Sequence, residues 1–283
     1  MPKDPEGEII PRTKIVVNGD EEQGTLSLNW KPESVSDDTE IWRYRSLKRY
    51  ISILDEEYLW FSRPDQFEDP FEGSIPGENI RNRNKLYDSE INRARSTARH
   101  KYRYTTYLNC WYSEEHESDA MWRLYSNSGD GVAIKSTHGQ LKHALEPIHS
   151  KNNPKKSTVK KATMGEVKYK DYNNSEIPVD SILAPLFHKR KAFEFEKEYR
   201  ILVQFLPDEL ISGSGRSVGE QFNFKDLSPV GIPIPVDASE LIEEVVVSPT
   251  ASDSFVEIIE SVTKIYGYDF DVVSSKLHKD PFF

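Results

Sequence analysis

Phe187-His188-Lys189-Arg190-Lys191-Ala192-Phe193-Glu194-Phe195-Glu196-Lys197-Glu198-Tyr199-Arg200 runs from a basic, apolar segment into alternating acids and aromatics. The residues that follow are mostly apolar (Ile201, Leu202, Val203 and Phe205), so 199–205 is expected to form a strong strand. If 194–198 is also extended, a period of two places Glu194, Glu196 and Glu198 on one face. Like charges that share a face raise one another's pKa or recruit a cation. Lys189, Lys191 and Arg200 are close enough in sequence to offset them. The competing structural reading is a solvated, salt-bridged junction between a helix over 182–193 and the strand.

The same punctuation recurs on either side. Residues 106–112 read as a strand that ends in Cys110-Trp111-Tyr112-Ser113. Ser118 can cap a helix over 119–125, on which Trp122 and Tyr125 share a face. Gly129-Asp130-Gly131 turns into a strand at 132–134. Residues 41–45 alternate as a strand whose end, Arg43-Tyr44-Arg45-Ser46, precedes the helical spacing Leu47, Tyr50, Ile51, Leu54. A short strand at 58–61 enters a loop dense in acids and aromatics, Phe67-Glu68-Asp69-Pro70-Phe71-Glu72. Residues 78–104 read as one long polar helix, 164–169 as a strand, and the tail as strand, helix, strand over 242–247, 255–266 and 270–273. Residues 151–161 and 211–229 read as loops. Many short strands with few helices predict an α+β fold, with mixed or antiparallel sheets and flanking helices, rather than a doubly wound parallel sheet. Residues 1–40 are expected to form an N-terminal arm, with short strands at 14–17 and 25–28 about a turn at Asn18-Gly19-Asp20. Residues 41–283 are expected to form a single catalytic-type domain.

Composition narrows the function. Lys and Arg number 37 against 47 Asp and Glu, a net charge of −10 over 283 residues. That balance argues against indiscriminate nucleic-acid binding by the whole surface, but not against a local basic groove. The single cysteine, Cys110, excludes an internal disulfide and a Cys-based zinc cluster, and points to a reducing compartment. Met1–Arg12 carries four charged residues before Pro11 and no apolar run, so it is not expected to act as a secretory signal. No stretch approaches the roughly 20 apolar residues of a membrane span. The expected location is the cytoplasm, with no membrane partner.

Several groups can carry chemistry. An arginine at a strand end beside a helix start, as at Arg43 and Arg45, offers a donor fork to phosphate or carboxylate. Asp69 sits in a loop of the kind that lines clefts. Tyr112 can stack on a flat ring and Ser113 can fix a carboxylate. Between Arg81 and Arg103 stand eight cations, with three acids over 78–103, which makes a candidate nucleic-acid or acidic-partner face. The histidines show no metal-ligand spacing, and no metal site is expected.

In order, Arg43-Tyr-Arg45, Leu59-Trp-Phe-Ser62, Phe67-Glu-Asp-Pro-Phe71, Met121-Trp-x-x-Tyr125, Gly131-Val-Ala-Ile, and Phe187-His-Lys with Glu196-Lys-Glu198-Tyr-Arg200 resemble the bacterial family called domain of unknown function 2971. The resemblance extends over about 41–277, with departures at Glu68 and Phe195. That family is similar in motif order to the ADP-ribosyltransferase superfamily. The resemblance implies an ADP-ribosyltransferase-like core that consumes NAD as substrate. By it, Glu198 stabilises the ribose cation, Glu196 contacts or deprotonates the acceptor, Arg45 holds the dinucleotide, and Ser113 orients Glu198. Tyr112 or Phe61 stacks on nicotinamide; Arg43, Ser62 and Tyr125 complete the NAD-binding set, and Asp69 belongs to the substrate loop. It further implies a bacterial toxin or anti-phage effector, with a protein or nucleic-acid acceptor and an antitoxin or regulatory partner. No Gly-x-Gly-x-x-Gly is present, so Rossmann-type binding is not expected. Two rival readings stand beside it. One is a metal-dependent nuclease using Asp69, Glu196 and Glu198 with the basic helix; the other is a non-enzymatic sensor or partner-binding domain on the same scaffold.

Overall fold

Two short strands near the N-terminus, β1 (Ile15–Val16) and β2 (Leu26–Ser27), pair in parallel in the computed structural model. The structure describes residues 15–16, 26–27, 30–125, 129–145, 162–178, 181–205 and 224–278. The expected turn at Asn18-Gly19-Asp20 lies outside the described residues, as do 151–161 and most of 211–229. Residue 40 is not a clean boundary. The Trp30 ring lies 5.9 Å from Phe187, and Gly139 N donates to Asp37 O at 2.8 Å, so 30–39 rests on the core.

The alternation at 41–45 becomes β3 (Glu40–Ser46), followed by α1 (Leu47–Glu56) and β4 (Tyr58–Ser62). Next come α2 (Gly77–Leu86), α3 (Ser89–Thr105), β5 (Thr106–Tyr112), α4 (Asp119–Tyr125), β6 (Gly131–Thr137) and α5 (His138–Ala144). The order continues with β7 (Thr163–Glu166), β8 (Lys168–Lys170), β9 (His188–Arg190), β10 (Glu198–Gln204), a short α6 (Phe224–Leu227), β11 (Gly231–Pro235) and α7 (Ala238–Leu241). The tail is β12 (Glu244–Val247), α8 (Asp253–Ile265) and β13 (Asp271–Ser274). Nine strands join in one sheet along the path β11-β4-β5-β3-β6-β12-β13, with β10 on the free side of β5 and β7 beyond it. Every pair in it is antiparallel except β12 with β13, which the α8 crossover makes parallel. The chain is α+β with a mainly antiparallel sheet and flanking helices, as expected. Among the described residues no helix is long and apolar enough to cross a membrane.

Three expectations fail for local reasons. The helix over 78–104 is two helices, because Asp88 accepts from Ile91 N at 2.8 Å and caps a new start. The strand over 164–169 divides at Val167: β7 pairs antiparallel with β10, whereas β8 pairs in parallel with β9. The helix over 182–193 is instead two 3-10 turns, Ala184–Phe187 and Lys191–Glu196, flanking β9. Pro185 is the fourth residue of the expected helix, where the first intrahelical N–H bond would form, and it has no N–H to make it.

The sheet forks at β5. Near its C-terminal end β5 pairs with β3 (Trp42 opposite Tyr112), and nearer its N-terminal end with β4 on the same side (Ser62 opposite Leu108). β3 and β4 therefore diverge, and a cleft opens between them. Backbone groups freed at a fork need other partners. Cys110 O accepts from Arg43 Nη1 at 3.0 Å, and Trp60 O accepts from Asn109 Nδ2 at 2.9 Å. On β4, Leu59 and Phe61 enter the main core while Trp60 and Ser62 line the cleft, as period two dictates. The prolines Pro233 and Pro235 sit on the edge strand β11, where a missing N–H is tolerated.

Gly231 faces Trp60 across that edge. A Cβ on Gly231 would fall 2.5 Å from the indole ring, so the ring must leave its place. Gly231→Ala is expected to cost about 1–3 kcal/mol and to shift the tryptophan emission, read by denaturant melts and fluorescence. An unchanged melt and spectrum would show that the contact does not hold the ring.

Candidate active site

The cleft at the fork has a volume of about 590 Å³. Because the strands part there, both faces of the sheet contribute to it. Arg43 and Asn109 come from one face; Cys110, Tyr112 and Glu198 come from the other.

Glu196 and Glu198 meet in the cleft by a route that strict alternation does not supply. Glu194–Glu196 belongs to a 3-10 turn, and Lys197 follows in the left-handed conformation (φ 40°). This uncommon backbone for a side-chain-bearing residue turns the chain so that Glu196 and Glu198 converge on the Lys189 ammonium. Glu194 is exposed and stays out of the group, so the expected three-acid face becomes a pair. Lys189 Nζ lies 2.6 Å from Glu198 Oε1, and Arg200 Nε lies 2.6 Å from Glu198 Oε2. Arg200 is fully buried and makes a two-pronged pair with Glu72 at 2.6 and 2.9 Å. The backbone N–H of Glu198 donates to the Tyr169 hydroxyl at 2.8 Å. The carboxylate is thus held on both oxygens and at its own backbone.

Glu72, Glu196 and Glu198 share two cations, Lys189 and Arg200. Burial disfavours the Glu198 anion, but Arg200, the hydrogen bond with Glu196 and Lys189 outweigh it and hold its pKa well below the usual range. Burial, then the neighbouring Glu198, pushes Glu196 up to about 8. Two carboxyls driven apart in this way can divide the work of charge stabiliser and proton acceptor. Because the folded chain holds the Glu196 proton more tightly, this group alone makes stability fall as pH rises from the ordinary carboxylate range through about 8.

Arg43 and Arg45 line the other side of the cleft. Arg43 is 5% exposed and stacks 5.4 Å from the Trp111 ring. Arg45 is half-buried, 5.8 Å from the Tyr125 ring, and donates to Tyr44 O at 3.0 Å. Burial first, and then each other's charge, pull the Arg43 guanidinium well below its ordinary pKa. Tyr125 stands between the two ends of the cleft and feels Arg45 on one hand, and Glu196 and Glu198 on the other.

Of the residues singled out in the sequence, Arg43, Arg45, Ser62, Asp69, Tyr112, Tyr125, Glu196 and Glu198 all line this cleft. Two expectations do not hold. Ser113 donates to Glu166 Oε1 at 3.1 Å and makes no hydrogen bond to Glu198; Lys189 and Arg200 orient Glu198 instead. Phe61 has no exposed surface and packs in the main core with Ile41 and Trp111, so it cannot stack on a cleft ligand; Trp60, one residue earlier and 39% exposed, lines the cleft. Asp69 is at the cleft, but Arg190 occupies its carboxylate at 2.7 Å and Phe71 N donates to it at 2.9 Å. Each carboxylate of the metal reading is therefore committed to a cation, and among the described residues no group of three His, Cys, Asp or Glu is arranged for a metal ion. The basic helices are also less open than their composition implies. Arg95 is buried against the Tyr87 ring at 4.6 Å, and Arg81 pairs with Glu78. Lys189 and Arg200, of the three cations expected to offset the acids, do so; sequence reasoning missed Glu72 as the counter-ion of Arg200, and Asn109.

A family model described as protein of unknown function (DUF2971) matches residues 121–201, a span that contains Tyr125, Lys189, Glu196 and Glu198. The chain resembles that family there, as its motif order implied. Among curated proteins, none matches by sequence. Solved structures similar to this chain include Thermus sp. 2.9 DarT in complex with NAD+, at 9% identity and a TM-score of 0.33, covering 86% of this chain and 98% of that one. The same protein in complex with carba-NAD+ is similar at 10% identity and a TM-score of 0.32, covering 86% and 97%. In complex with ADP-ribosylated ssDNA it is similar at 11% identity and 0.32, covering 87% and 97%.

Proposed function

We propose that the cleft binds NAD and that the protein breaks the bond between nicotinamide and ribose, passing ADP-ribose to an acceptor or to water. The observation that carries this reading is the polarity of the cleft. A fixed, ionised carboxylate (Glu198) stands on one side, and arginines with no acid partner among the described residues stand on the other. Such a cleft suits a ligand that is anionic along its length and develops positive charge at one carbon. Departure of nicotinamide takes the C–N electron pair with it and leaves oxocarbenium character on the ribose. A carboxylate aimed there stabilises that charge, and it needs no reorganisation because Lys189 and Arg200 already hold it. Nicotinamide leaves as a neutral group, so no acid is required. The incoming nucleophile forms the new bond to C1 of the ribose and gives its proton to Glu196. Arg43 and Arg45 hold the diphosphate, and Trp60 or Tyr125 offers a face to a flat ring. The acceptor class, protein or nucleic acid, and a place as a cytoplasmic toxin or defence effector with an antitoxin partner, rest on the family resemblance.

The test is nicotinamide release from NAD by the purified chain, followed by chromatography. Because Glu196 must be ionised to accept a proton, the rate is expected to rise with pH through about 8 and then level. Glu196→Gln is expected to lower the plateau about 10²-fold or more and to flatten that rise. A pH profile of unchanged shape in Glu196→Gln would remove Glu196 from the proton step. No release at any pH would overturn the reading itself.

A further inference from the structure

Arg43 sits at the floor of the fork as a buried cation that feels the like charges of Arg45 and Arg49. Its Nη1 donates to Asn109 Oδ1 and to Cys110 O, and its Nε has no hydrogen-bond partner among the described residues. Burying a guanidinium is costly, and a carboxylate is its ordinary companion in a protein interior. Here that place is taken by Asn109, which is 1% exposed. The amide is fixed by three strands at once. Its Oδ1 accepts from Arg43 on β3 and from Trp111 Nε1 on β5 at 2.8 Å, and its Nδ2 donates to Trp60 O on β4 at 2.9 Å. A carboxylate cannot make the last of these bonds, and it would cancel the arginine's charge. A neutral amide sets the direction of the guanidinium and leaves its charge for something that enters the cleft.

We propose that Asn109 is a positioning residue that holds Arg43 as an uncompensated cation, and that the floor of the fork is a subsite for the diphosphate of a nucleotide. The name of the ligand rests on the NAD reading above; the anion subsite itself does not. Arg45 and Arg49 add charge at the same place, and the Ser46 hydroxyl at the start of α1 adds a donor, since it caps no N–H of that helix.

ADP is the probe, measured by calorimetry and thermal shift with the full chain. The unaltered protein is expected to bind it, more weakly as salt rises. N109D keeps the acceptor for Arg43 but pairs its charge, and is expected to lose about tenfold or more in ADP affinity, the scale of one hydrogen bond to a charged group. The KM for NAD is expected to rise by a similar factor while kcat changes less. Arg43→Met removes the buried charge, and is expected to lose ADP binding equally while its melting temperature holds or rises. That opposition is one a merely structural arginine would not produce. If N109D does not fold, Arg43→Met decides. ADP affinity unchanged in a folded Arg43→Met chain, or no ADP binding by the unaltered protein at millimolar concentration, overturns the subsite. ADP binding that behaves as expected, in a chain that releases no nicotinamide, leaves the subsite standing and removes only the reaction.

Discussion

Glu198→Gln is expected to slow nicotinamide release about 10²–10³-fold in a chain that still folds. The change is nearly isosteric. The amide oxygen can still accept from Lys189 or Arg200, which bond the carboxylate from opposite sides at 2.6 Å, but it cannot satisfy both and carries no charge. What disappears is the negative charge that would face the developing ribose cation. Binding of the ground state should suffer much less, because Arg43 and Arg45 hold the anionic part of the ligand from the other side of the cleft. The signature is therefore a fall in kcat with little change in KM, as expected when an interaction made chiefly in the transition state is removed. Thermal shift with NAD should still report binding. Release within a few-fold of the unaltered protein would mean that another group stabilises the cation, or that no cation forms. A rate that instead collapses on adding a chelator would return the metal-dependent reading to first place.

How much of this was legible in the sequence depended on distance along the chain. β10 declared itself through an apolar run whose residues are all buried, and β3 through its alternation. The pair Glu196 and Glu198 was visible as a charge pattern, but not the turn that joins them. That turn depends on Lys197 adopting a backbone that its side chain gives no reason to expect. Phe61 and Trp60 show the cost of a register off by one: adjacent aromatics on a strand face opposite ways, and only the fold decides which face is the cleft. Ser113 failed for a related reason. It lies just past β5, its N–H goes to Lys197 O at 2.8 Å, and its hydroxyl goes to Glu166 rather than to Glu198. Asn109 left a signal that can be read, a polar amide in the middle of the apolar strand 106–112, where such a residue needs a buried partner. The partners themselves, Arg43 and Trp60 O, are more than 40 residues away and could not be named without the fork.

Arg200→Met is expected to be the most destabilising single change near the cleft, by about 3–5 kcal/mol, with a melting temperature lower by on the order of 10 °C. Arg200 has no exposed surface, and its guanidinium meets Glu72 with two nitrogens, Glu198 with a third, and Leu186 O at 2.7 Å. Removing it takes away the ion pair of the buried Glu72 and leaves Glu198 with Lys189 alone, and breaking a buried pair from one side costs far more than the pair contributes intact. Arg200→Lys should rescue little, since a single ammonium cannot span both acids with the geometry of the planar fork. Acid separates this account from a simple packing defect. In the unaltered chain the depressed pKa of Glu198 contributes stability above the ordinary carboxylate range, which is lost as pH falls. In the variant the part of that contribution that comes from Arg200 is gone, and only Lys189 still favours the Glu198 anion. The two stability curves should therefore approach each other toward pH ~4 and diverge toward neutrality. A gap that stays constant across that range would place the loss in packing around Phe67 and Leu186 rather than in charge. Adding Glu72→Gln to Arg200→Met should recover part of the stability but none of the activity. Glu198 would still lack Arg200 on its Oε2 and, held by Lys189 alone, would no longer be fixed where the ribose cation develops.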